Sequence, residues 1–187
     1  MSEVRPSEQM RNLGIVQRGA PVLTEAVRTL DLPAGQEAAE QAVDALFASI
    51  ERIAQVHPFA KGMGIAAPQI GIGRAAAVVQ PAEQGAGAIV LVNPRVTESS
   101  DDTDEQAAST SSTSAAWSPV PCALPSRPPG SIGATLTTVY ERGLARLVAH
   151  EIDHLNGMLY LSRMQPGVEL IPVEQYRQTG RAWAYDP

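Results

Sequence analysis

The sequence predicts one α+β domain. Three observations carry that reading: a stretch with helical apolar period near the N-terminal end, another near the C-terminal end, and β-type runs between them with no internal repeat. A chain of 187 residues suits a single domain with a core of its own. Residues 1–20 read as a polar, extended N-terminal arm, and ordered structure is expected to begin at Pro21-Val22-Leu23. The best helix runs from Glu37 to Gln55, where Val43, Leu46, Phe47, Ile50 and Ile53 recur on one face of a 3.6-residue repeat. Pro58 is expected to close it, with His57 at the closing turn as a C-terminal cap suited to the helix dipole rather than as a ligand.

Lys61 to Gly71 is rich in Gly and Ala and reads as a loop. Strands are expected at Arg74 to Val79, at Ala88 to Val92 (ending in Asn93-Pro94) and at Ala134 to Tyr140. The second amphipathic helix spans Gly143 to Leu155, with Leu144, Leu147, Val148 and Ile152 as its apolar stripe. Residues 99–133 follow neither period. A tract of Asp, Ser, Thr and Ala leads into a Pro-rich piece from Pro119 to Pro129, a composition that predicts an irregular or disordered insert.

Composition narrows the function classes. The net charge of −6 offers no basic footprint for DNA or for an anionic membrane, so neither is expected as a partner. No run approaches the roughly 18 apolar residues of a membrane span. Met1-Ser2-Glu3-Val4-Arg5-Pro6 lacks the basic start and apolar stretch of a secretory signal, and the single Cys122 leaves no internal disulfide. A cytoplasmic location is the expectation.

Chemistry concentrates in His150-Glu151-Ile152-Asp153-His154. H-E-x-x-H on a helix puts both imidazoles on one face, one turn apart, where they can hold one divalent ion. Glu151 sits beside them as a base for an activated water. Two of the chain's three histidines fall in this arrangement, which makes a chance pairing the weaker reading. A catalytic centre generally needs a third protein ligand and an open position. Tyr160 stands where a metzincin would have its third His, while Glu169 and Glu174 are the candidates for a gluzincin-type ligand.

A third route places a Cys upstream. Gly62-Met63-Gly64-Ile65-Ala66-Ala67-Pro68-Gln69 resembles the G-x-G-(I/L)-A-A-x-Q motif of peptide deformylases. Leu91-Val92-Asn93-Pro94 resembles a strand end of that family, and Glu141 to Gly157 resembles the helix that carries its metal ligands. The similarity covers roughly residues 10–98 and 136–165. It implies a deformylase-like domain over residues 21–165, with antiparallel strands around a C-terminal helix bearing H-E-x-x-H, an N-terminal helix, and a tail at 166–187.

The family removes the formyl group from the N-terminal formyl-methionine of new bacterial proteins, using Fe²⁺ in many members and Zn²⁺ or Ni²⁺ in others. The resemblance implies His150 and His154 as ligands and Glu151 as general base and acid. It implies Gln69 as donor to the oxygen that becomes negative, and the backbone of Gly64 and Ile65 as the lining of the formyl-methionine site. It also implies nascent chains at the ribosome as partners.

One family element is missing. The E-G-C-L-(S/N) motif supplies a Cys ligand and an oxyanion-hole N–H, and the chain has no counterpart. Cys122 follows Val120-Pro121 with neither Glu nor Gly before it, so it reads as a loop cysteine rather than a ligand. Some actinobacterial-type deformylases read G-C-L-N-F-F-D-V-R-G-L-V-P here. Written in GC-rich codons and read one base later, that segment becomes Ala107 to Pro119, residue for residue. Ala108 then overlies the family's Cys, 42 residues before His150 (150 − 108). The expectation is a deformylase gene with a local frameshift, or a sequencing error of the same form; a two-His centre would hold metal weakly and hydrolyse slowly. The alternative is a non-catalytic relative that binds peptide N-termini.

Overall fold

The computed structural model describes residues 6–56, 62–83, 85–96, 122–123, 137–140 and 142–163. A three-stranded antiparallel sheet lies between two helices. Its strands are β1 (Met63–Ala66), β2 (Ala76–Gln80) and β3 (Ile89–Val92), in the order β1-β2-β3. Ile65 pairs with Val78 and Val78 with Val90, so β2 is central. Helix α1 is Pro6–Asn12, α2 is Gln36–Val56 and α3 is Arg142–Leu155.

Side-chain alternation along β2 explains the layering. Ala76 and Val78 join the cluster built with Ala39, Val43, Leu46 and Ile53 of α2. Ala77 and Val79 join the cluster built with Ala145, Val148, Ile152 and Leu155 of α3. A strand covered on both faces reads as a continuous apolar run, and all of Ala76–Val79 is fully buried. Each fully buried Val or Leu here contributes about 1.5–3 kcal/mol relative to exposure.

Two expectations need correction. Residues 61–71 were expected to be a loop, but Met63–Ala66 is a strand and Ala67–Ile70 a 3₁₀ turn closed by Gly71 in the left-handed region, φ 82°. Gly and Ala carry weak β propensity, and here they are small for a packing reason. Met63 and Ile65 face α2, while Gly64 and Ala66 face α3, which packs closely over them.

The arm was expected to be extended, yet Pro6–Asn12 is helical. Pro at a helix start has its φ preset and needs no N–H partner there. So short a helix is marginal alone. Met10, Leu13 and Ile15 pack against the α2-side core and hold it in place.

The two long helices agree with the apolar periods. Of the run Ala134 to Tyr140, Thr137–Thr138 forms β5, paired antiparallel with β4 (Cys122–Ala123) in a separate two-stranded sheet. Tyr140 is buried in the α3-side core. His57, Pro58, Glu169, Glu174 and the rest of residues 99–133 lie outside the described residues.

Asn93 ties the end of β3 to an earlier segment. Its backbone is left-handed at φ 50°, its N–H donates to Ala75 O, and its side-chain amide exchanges two hydrogen bonds with Leu30, at 2.8 and 2.7 Å. At the far end of α3, Gly157 is left-handed at φ 71°, and a Cβ there would come within 2.7 Å of the Glu25 backbone. Val27 N–H donates to Leu155 O nearby, so the end of α3 is fastened to residues 24–27.

Candidate metal centre

Helix α3 turns one face to the sheet and its edge to a cleft. His150 and His154, one turn apart, direct their Nε2 atoms at each other, 3.1 Å apart. The rings meet edge to face, with centroids 4.6 Å apart and planes at 80°. A tetrahedral ion about 2.0–2.1 Å from each of two imidazole nitrogens holds them roughly 3.3 Å apart, so the pair is already spaced as one edge of a coordination tetrahedron. His154 is buried, and burial with the adjacent charge of His150 outweighs Asp153 and lowers its pKa to about 4. At neutral pH it therefore carries the neutral imidazole that a metal requires.

Glu151 lies between them in sequence, its side chain turned against Gly64 of β1 and only 1% exposed. Its Oε2 has no hydrogen-bond partner among the described residues. Desolvation raises its pKa to about 8. Room for this carboxyl exists because residue 64 is glycine: a Cβ there would land on Oε1 and within 2.6 Å of Cδ. The Gly-rich strand and the histidine helix, far apart in sequence, are thus two sides of one contact.

Gln69 reaches the same place from the 3₁₀ turn. Its Oε1 accepts the Ala66 N–H at 2.7 Å and its backbone carbonyl accepts the Val16 N–H at 2.8 Å. With Oε1 so engaged, the amide plane is set and Nε2 is the end available to donate. Gln69, His150 and His154 line one cleft of about 300 Å³ together with Ile15, Val16, Leu23, Leu159, Tyr160 and Arg18.

Ile65 points its side chain into the α2-side core, so any contact it makes with a ligand is through its backbone. Sequence reasoning missed the walls at Ile15 and Val16, because residues 1–20 carry no period, and took Leu23 only as the start of the ordered part. The adjacent apolar pair Ile15-Val16 was the available signal.

The donor chemistry fits a divalent cation: two imidazole nitrogens converge, with a buried carboxyl on the same helix turn. No third His, Cys, Asp or Glu joins them among the described residues. Cys122 lies in β4, opposite Thr138.

Comparison with known proteins settles the family. The model of the polypeptide deformylase family matches residues 12–123 and 131–169. The chain belongs to the peptide deformylase family. The match extends into residues 99–123, beyond the 10–98 expected on motifs alone, and begins before the cleft residues Ile15 and Val16.

A peptide deformylase of Caldicellulosiruptor bescii is 34% identical over 123 residues, 65% of this chain and 72% of the relative. The actinonin-bound class I type b peptide deformylase of Acinetobacter baumannii superposes with a TM-score of 0.62 at 25% identity, covering 81% of this chain and 97% of that one. Arabidopsis thaliana peptide deformylase 1B gives a TM-score of 0.58 at 25% identity, over 88% of this chain and 86% of that one. Peptide deformylases are metal-dependent hydrolases as a family, and this chain has their helices and antiparallel sheet. No helix among the described residues is long and apolar enough to cross a membrane.

Proposed function

We propose that the chain acts on N-formyl-methionyl peptides as a deformylase, releasing formate and a free amino terminus. The observation that carries this reading is the His150–His154 Nε2 pair, 3.1 Å apart, in a cleft it shares with Gln69. A divalent cation held by His150 and His154 (Fe²⁺, alternatively Zn²⁺ or Ni²⁺) would polarise the formyl carbonyl and acidify a water for attack.

The remaining steps belong to the chain's own groups. Glu151 takes the proton of the attacking water and passes it to the departing amine nitrogen. Gln69 donates from Nε2 to the oxygen that becomes negative. The apolar walls at Ile15, Val16, Leu23 and Leu159 suit a methionine side chain. The edge position of β1 among the described residues supports backbone pairing of Gly64 and Ile65 with an extended peptide. Nascent chains in the cytoplasm are the proposed source of substrate.

The lack of an E-G-C-L motif sets the expected rate. A centre short of its thiolate and of one oxyanion donor holds metal weakly and turns over slowly. It also favours the second reading, a relative that binds peptide N-termini without hydrolysis. The proposed origin is a local frameshift over Ala107 to Pro119. Resequencing codons 100–137 tests it, and an intact frame relative to close homologues would sink it.

Metal analysis of anaerobically purified protein, paired with hydrolysis of formyl-Met peptides, separates the two functional readings. Near-stoichiometric metal with turnover supports the enzyme. Metal-free protein that still binds formyl-Met peptides supports the binder.

A further inference from the structure

The cleft walls are apolar except for the histidine pair, Gln69, the hydroxyl of Tyr160 and one cation, Arg18. Arg18 is exposed, and it makes no ion pair among the described residues. Its loop is nonetheless well tied. Gln17 Nε2 donates to Ile15 O at 2.7 Å, Ala20 N–H donates to Gln17 O at 3.3 Å, and Gly19 takes a left-handed turn at φ 99°. The same loop is anchored to Gln69 through the Val16 N–H. The backbone that carries Arg18 is therefore fixed at the rim of the cleft, in a chain whose net charge of −6 would otherwise disfavour acidic ligands.

Resting on the function proposed above, we infer that Arg18 is a specificity-determining residue, selecting peptides with an acidic side chain shortly after the formyl-methionine. Arginine suits the role, because its planar fork pairs with a carboxylate through two parallel hydrogen bonds. A rim pair remains solvated, so the preference is modest: roughly two- to five-fold per charge step. The selection acts on the peptide beyond the reacting group and leaves the chemistry at Glu151 and Gln69 untouched.

The test uses the full-length chain and three formyl-Met peptides of equal length, with Glu, Gln or Lys after the methionine. All are C-terminally amidated, so that no terminal carboxylate competes for the guanidinium. Calorimetric titration of the unaltered protein is expected to rank them Glu, Gln, Lys from tightest to weakest. Arg18→Glu should reverse that order while the Gln peptide changes least, and Arg18→Met should flatten it. Circular dichroism checks that both variants fold.

Equal affinities for the three peptides in the unaltered protein overturn the role of Arg18 and leave the function standing. An order that persists in Arg18→Glu does the same. Absence of saturable binding by any of the three removes both.

Discussion

The two faces of the sheet are built to different rules. Toward α2 the buried residues are apolar throughout, from Leu30 to Val92, and the one buried polar group of that helix, Ser49, donates to Ala45 O at 2.8 Å. Toward α3 the packing admits Glu151, Asp153 and His154 into buried positions, with a carboxyl oxygen and an imidazole Nδ1 left without hydrogen-bond partners among the described residues. A buried polar group without a partner costs about 1–3 kcal/mol. The first face holds the domain together. The second spends part of that stability on a constellation of donors and acceptors.

Substitutions on opposite faces should therefore separate stability from chemistry. The largest effect is expected from Glu151→Gln, which removes the proposed proton carrier: formyl-Met hydrolysis should fall by about 10²–10⁴-fold. The metal-free variant should be more stable than the parent at pH 8. Turnover and thermal melting of the same sample check both, and a Gln variant that keeps its rate would exclude Glu151 as base.

Leu46→Ala on the other side should do the reverse. It empties a fully buried position and should cost about 2–5 kcal/mol in urea denaturation, with peptide affinity per folded molecule unchanged. Gly64→Ala joins the two faces. Its Cβ collides with the Glu151 carboxyl, so it should cost about 1–3 kcal/mol and also displace the proposed base. A Gly64→Ala protein with parental melting and parental rate would contradict that contact.

The smallest effect is in pH. The Glu151 pKa is raised from 4.5 to about 8, so the folded, metal-free protein holds a proton that the unfolded chain has released. The resulting stability is complete below 4.5 and is lost as pH rises through about 8. His154, lowered from 6.5 to about 4, acts in the other sense, since its contribution is present above 6.5 and lost as pH falls through about 4. The trends oppose each other at intermediate pH, which leaves Glu151 alone to set the slope from 6.5 to 8. Metal-free stability should fall there by at most about 1.4 kcal/mol per pH unit. The slope should vanish in Glu151→Gln. A flat profile in the parent would mean that the carboxyl is hydrated.

The same contrast explains what could be read from the sequence. The α2 face was legible because an apolar stripe at Val43, Leu46 and Ile53 has one physical meaning, and helix α3 was legible from Val148, Ile152 and its two histidines. Strand β1 was not, because Gly64 looks like a loop residue until Glu151 is seen to fill the space that a side chain would need. Helix α1 and the wall at Ile15 and Val16 were hidden for a related reason. Short segments take their conformation from what they pack on, and their partners (α2 and Gln69) are distant in sequence.

The fastening of Gln69 at both its side chain and its backbone bears on the dynamics of the cleft. One bond runs to the sheet at Ala66 and the other to the cleft wall at Val16, so the amide and the wall are coupled. Fluctuations that loosen residues 15 and 16 would swing the donor off its target, and a ligand that presses on those residues would still it. Turnover on the proposed reaction should then follow the local order of a segment that never touches the formyl group, and relaxation measurements on the Val16 amide would report it before any product forms.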